Sequence, residues 1–177
     1  MTRAPRRILG ALAVAGALAQ SAHAEEAAKP AAPPTPACRS AEHRAFDFWL
    51  GAWRVETPAG KHAGHNTISA ILGGCALLEQ WEGASGLRGT SLNAWDAGTR
   101  RWRQTWIDGA GGVLLLEGGL EAGAMVMRGA TREDAREVME RITWTPLARG
   151  AVKQHWQQSR DGGATWTDAF VGIYQKR

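Results

Sequence analysis

The chain has 177 residues, of which 44% are apolar and nine are tryptophan, and its formal net charge is +4. Arg3, Arg6 and Arg7 supply three of those four charges, so the remainder of the chain carries only +1 and its charge makes no case for nucleic acid as a partner. Beyond residues 8–19 no apolar run approaches the roughly 18 residues of a membrane-spanning helix, so no anchor is expected.

The start of the chain has the three parts of a secretory leader: the arginines, the apolar run ILGALAVAGALA (Ile8 to Ala19), and small residues ending in Ala22-His23-Ala24. Cleavage after Ala24 is the expectation, and it places the mature protein in the periplasm or outside the cell. Arg6-Arg7 lacks the flanking residues of a twin-arginine signal. Residues 25–37, EEAAKPAAPPTPA, have little to bury and read as a disordered linker, leaving 38–177 as one domain.

Cys38 and Cys75 are the two cysteines. In an exported chain such a pair predicts a disulfide, which would pin the segment before the first strand to the sheet. A short helix over Ser40 to Leu50, with Phe46, Trp49 and Leu50 on its apolar face, is expected to plug one end of the fold. Gly51 would end it.

From Trp53 onward, short stretches rich in β-branched and aromatic residues alternate with Gly, Asp and Asn. They predict ten strands, near 53–57, 63–72, 75–82, 87–95, 101–108, 112–118, 124–131, 137–145, 151–159 and 165–175. The connections are too short for parallel crossovers, so each strand should pair with its predecessor. An all-β, antiparallel up-and-down barrel follows, because closure removes exposed sheet edges. The stretch SRDGGATW, Ser159 to Trp166, resembles the Asp-box of sialidases, but one such box cannot build a propeller. Asp161 is expected to bind backbone amides inside its own hairpin, with Trp166 packed across it.

Gly51-x-Trp53 at the head of the first strand is similar to the Gly-x-Trp of lipocalins. The series FDFWLGAW, GHNTI, GGCALLEQWEG, GTSLNAWD, WRQTWIDGAGG, RITWTP, KQHWQQSRDGGATW and GIY resembles a family of exported bacterial proteins of unknown function, the DUF1579-type domain. That resemblance spans nearly all of Phe46 to Tyr174 and implies a calycin-like barrel of the lipocalin and nitrobindin kind. It implies no activity and transfers no haem-binding histidine.

Alternate residues of a strand share a face. One set collects Leu77, Glu79 and Trp81; Ser91, Asn93 and Trp95; Trp102, Gln104, Trp106 and Asp108; and Gln154, Trp156 and Gln158. The other collects Gln80, Glu82, Arg88, Thr90, Arg101, Arg103, Lys153, His155 and Gln157, and its long charged side chains belong outside, where no apolar stripe is evident. The inner set mixes tryptophan with amides and a carboxylate. Two readings stay open: a network that satisfies itself, with Glu79 paired to Arg141, or a small-molecule pocket built from Glu79, Trp81, Ser91, Asn93, Gln104, Trp106, Arg141, Gln154 and Trp156.

Other chemistry has weaker support. His62 and His65 stand three apart, on opposite faces of a regular strand, so no metal site is expected; His155 should face outward, so no haem and no other cofactor is expected. Glu79 or Asp108 as a general base would make a hydrolase or isomerase, and a non-catalytic partner-binding module of the envelope is the third alternative.

Overall fold

The computed structural model describes residues 38–177; the expected leader and linker lie outside the described residues. Ten antiparallel strands close into a barrel in chain order: β1 (Gly51–Glu56), β2 (His62–Ile71), β3 (Ala76–Gly83), β4 (Arg88–Asp96), β5 (Arg101–Asp108), β6 (Val113–Glu121), β7 (Ala124–Glu133), β8 (Arg136–Pro146), β9 (Val152–Ser159) and β10 (Thr167–Lys176). The last strand returns to the first, with Trp53 opposite Lys176 and Val55 opposite Tyr174. The result is a calycin-like all-β fold with every strand edge paired. β10 begins two residues later than the alternation suggests because 159–166 forms a side-chain-bonded turn. Asp161 accepts from the Thr165 amide at 2.8 Å and from Ser159 Oγ at 2.7 Å, while Trp166 Nε1 donates to the Gly163 carbonyl.

The plug is not one helix. α1 (Ala41–Arg44) is a single turn capped by Ser40, and a separate 3-10 turn spans Asp47–Trp49. The reason is packing: three-residue spacing puts Phe46 and Trp49 on one side, where their rings stack at 4.8 Å, and both are wholly buried. Phe46 also meets Trp102 and Trp144 edge-on at 5.6 and 5.2 Å. Indole N–H groups tie this cluster to the plug backbone, Trp53 donating to the Trp49 carbonyl at 2.9 Å and Trp102 to the Glu42 carbonyl at 3.0 Å. Cys38 and Cys75 form a disulfide across 5.0 Å between Cα atoms, which fastens the plug to the head of β3.

Candidate functional site

Above this aromatic cluster the barrel is hollow. A cavity of about 300 Å³ extends from Trp144, Leu114 and Ile142 towards the rim opposite the plug, where Ser85 and Leu87 of the β3–β4 connection and Ala169 and Phe170 of β10 border it. Trp81, Trp106 and Trp156 form its walls. Glu79, Gln104, Gln154 and Tyr174 supply its polar surface.

Register explains how the polar groups meet. Glu79 lies opposite Ser91, and Leu77, Asn93 and Gln104 align across β3, β4 and β5. One continuous hydrogen-bond chain results. Gln104 Nε2 donates to Asn93 Oδ1 at 2.7 Å, Asn93 Nδ2 to Ser91 Oγ at 2.8 Å, and Ser91 Oγ to Glu79 Oε2 at 2.6 Å. On the other side of the carboxylate, Asn66 Nδ2 donates to Glu79 Oε1 at 2.7 Å and to the Tyr174 hydroxyl at 3.3 Å. Tyr174 in turn donates to Gln154 Oε1. Glu79 is 5% exposed, and burial pushes its carboxyl up to about 6 against the opposing pull of the Ser91 and Asn66 hydrogen bonds. Burial, then the nearby Glu79 charge, holds the Tyr174 hydroxyl well above its usual range.

Six of the nine sequence-predicted binding residues line the cavity: Glu79, Trp81, Gln104, Trp106, Gln154 and Trp156. Ser91 and Asn93 lie behind them as hydrogen-bond partners. Arg141 does not belong to the interior. It binds Gln157 Oε1 at 2.8 Å and lies over the Trp166 ring at 4.1 Å, on the outer surface. The inward row of β8 is Val138, Glu140, Ile142 and Trp144, one residue out of phase with the proposed Glu79–Arg141 pair. The donors to Glu79 are Asn66 and Ser91, and no arginine reaches it.

Asp108 is also displaced from its expected role. It sits at the end of β5 and accepts from the Ala110 and Gly112 amides, both at 2.9 Å. The Gly112 amide is the main reason its carboxyl is held below the usual range, and Asp108 is not among the residues that line the cavity. His62 and His65 do not face apart. A bulge pairs His62 with Glu56 and Gly64 with Val55, leaving Ala63 unpaired, and the two rings come within 4.8 Å on one face. Among the described residues no group of three or more His, Cys, Asp and Glu is placed to hold a metal ion. His155 faces outward and binds Asp168 at 2.7 Å. The outer wall does carry an apolar patch, contrary to the reading of the outward set. Leu92, Ile107, Val113 and Leu115, between 49% and 60% exposed, are neighbours across β4, β5 and β6.

Three features escaped the strand-by-strand sorting. Asn66 and Tyr174 were not assigned to a face, although the alternation of Asn66 with buried Ile68 points inward. Glu140, 1% exposed, is a second interior carboxylate that accepts from Trp156 Nε1 at 2.6 Å and Thr131 Oγ1 at 2.7 Å. The tryptophan walls rest on glycines of the adjacent strands: a Cβ at Gly64 would stand 2.8 Å from the Trp81 ring, and one at Gly89 only 2.2 Å from the Trp106 ring.

Together these features define a closed calycin-like barrel, sealed at one end by a disulfide-fastened aromatic plug and hollow beneath the other. Compared with models of known protein families and with curated proteins, the chain matches none.

Proposed function

We propose that this protein is an exported binding barrel that holds one small, partly apolar molecule between its tryptophans. The observation that carries this reading is the cavity itself, with aromatic walls and a few convergent polar groups, the usual make-up of a small-molecule site. Its volume is at the lower end of the range for such sites, roughly 300–1,000 Å³, so the occupant is a small one. Entry is from the rim opposite the plug. Export is supported by the leader-like start and by the disulfide, a bond that persists in oxidising compartments. Membership of the exported family that the sequence resembles is part of the same proposal.

Titration of intrinsic fluorescence against a library of metabolites and short-chain lipids is expected to give saturable quenching or a blue shift with at least one compound. A flat response across the library, with no uptake of an apolar dye, would contradict the reading. Gly89→Ala supplies a second check. The added methyl must push the half-buried Trp106 indole aside, so binding should weaken tenfold or more while stability falls by about 1–3 kcal/mol. Unchanged affinity in this variant would place the ligand elsewhere.

A second reading, a hydrolase or isomerase, draws on one observation: Glu79 borders the cavity with a carboxyl pushed up to about 6, in the range of a general base. Turnover of a bound compound that disappears in Glu79→Gln while binding persists would favour catalysis over carriage.

A further inference from the structure

Charge distinguishes this interior from a neutral apolar pocket. Two carboxylates, Glu79 and Glu140, are buried on the inner wall, and no lysine, arginine or histidine among the described residues lines the cavity. Burying a carboxylate without a counter-charge is costly, and hydrogen bonds offset that cost only in part. A carboxylate has about four acceptor positions. At Glu79, Asn66 and Ser91 use two of them.

The polar groups around Glu79 are short of donors. Asn66 Oδ1, beside Glu79 but not on the cavity wall, is buried without any hydrogen-bond partner. Gln104 gives its amide to Asn93, and its own oxygen accepts nothing among the described residues. The donors on the cavity surface, among them the Gln154 amide, whose Oε1 is taken by Tyr174, and the Trp144 indole N–H, which is buried without a partner, are all neutral. What the floor lacks is therefore a donor that carries positive charge. The walls suit the same ligand, because an indole face attracts a cation within about 6 Å of its centre. Trp156 is held in place by its hydrogen bond to the second carboxyl group, Glu140, which lies behind the ring and not on the cavity wall.

We propose that the cavity takes a protonated amine with an aryl or alkyl tail, its ammonium group seated against the Glu79 carboxylate and its tail between Trp81, Trp106 and Trp156. This rests on the reading of the barrel as a small-molecule carrier and narrows it to organic cations. Neutral ligands forgo the ion pair. Anions meet the Glu79 carboxylate as a buried like charge.

The carboxylate's position near pH 6 adds a signature. The cation binds its ionised form, so affinity should be full above about pH 7 and fall up to tenfold per pH unit below 6, while an alkylamine stays protonated throughout. The other titratable groups of the inner wall are Tyr174, whose hydroxyl does not ionise in this range, and Glu140, bonded to Thr131, Trp156 and Gln158. Asn66, Ser91, Asn93 and Gln104, the side chains around Glu79 on β2, β4 and β5, do not titrate.

Three probes of one shape test the idea: 2-phenylethylamine, 2-phenylethanol and 3-phenylpropanoate, titrated calorimetrically at pH 7.5 and pH 5 into the wild-type protein and Glu79→Gln. The amine is expected to bind at least tenfold more tightly than the alcohol at pH 7.5, with the anion weakest. That preference should shrink about tenfold at pH 5 and to within threefold in Glu79→Gln, where the alcohol still binds. Equal or tighter binding of the alcohol by the wild-type protein overturns the cation proposal and leaves the carrier reading in place. A preference for the amine that survives in Glu79→Gln also overturns it, since Glu79 is then not the anchor. If none of the three binds, and the library and dye also fail, both readings fall together.

Discussion

Cys75→Ser is expected to destabilise the protein by about 3–4 kcal/mol, the chain-entropy value for a bridge that closes a loop of this size. The two cysteines are 37 residues apart, and the closed segment contains the plug, β1 and β2. In a domain this long such a loss lowers the thermal midpoint by on the order of 10 °C. Reduction of the wild-type protein should give the same shift, and reduction of the variant no further shift, because both remove a single constraint. Ligand affinity should change little, since the cavity borders the opposite rim and Phe46 and Trp49 still pack beneath it. Two reactive thiols in protein isolated from an oxidising compartment, or a variant as stable as the parent, would contradict this account.

Glu79→Gln is expected to act in the opposite direction. Burial raises the folded-state carboxyl from 4.5 to about 6, so the fold favours the protonated form. The associated stabilisation is complete below about pH 4.5 and is lost as pH rises through about 6. At 1.36 kcal/mol per unit, the ionised carboxylate costs the empty barrel about 2 kcal/mol at pH 7.5. Glutamine keeps an acceptor for Asn66 or Ser91 without the charge, so the variant should melt several degrees higher at pH 7.5 and close to the parent at pH 4. A lower midpoint at pH 7.5 would mean that the hydrogen bonds to the carboxylate outweigh its desolvation. An ion whose removal strengthens the fold is accounted for by what it binds, and a cationic occupant would offset the same cost.

Strand number, order and direction are legible in the sequence, because period-two alternation and short Gly- and Asp-containing connections leave an up-and-down barrel as the economical arrangement. The inward positions of β3, β4 and β9, and of β5 as far as Trp106, follow from the long polar and charged residues that alternate with them, which have to reach water. β8 was read wrongly for a physical reason. Val138, Glu140, Ile142 and Trp144 alternate inward, so Arg141 falls on the outer face, against the expectation that a buried carboxylate pairs with an arginine. In the fold, neutral donors from two other strands bind Glu79 instead. The outer patch of Leu92, Ile107, Val113 and Leu115 escaped notice because its members lie on three strands and become adjacent only through register.

The sequence alone determined what depends on local pattern: ten strands, a disulfide between the two cysteines, an aromatic plug before Gly51, and a Trp-rich polar inner face. Tertiary structure decided what depends on cross-strand register and on space. The bulge at Ala63 turned His62 and His65 to one face, and the turn after β5 removed Asp108 from the interior. Gly64 and Gly89 let indoles lie flat against the wall, so the barrel kept a cavity of about 300 Å³ instead of filling it. A void is a sum over many strands of small mismatches in volume, and no single stretch of residues encodes it.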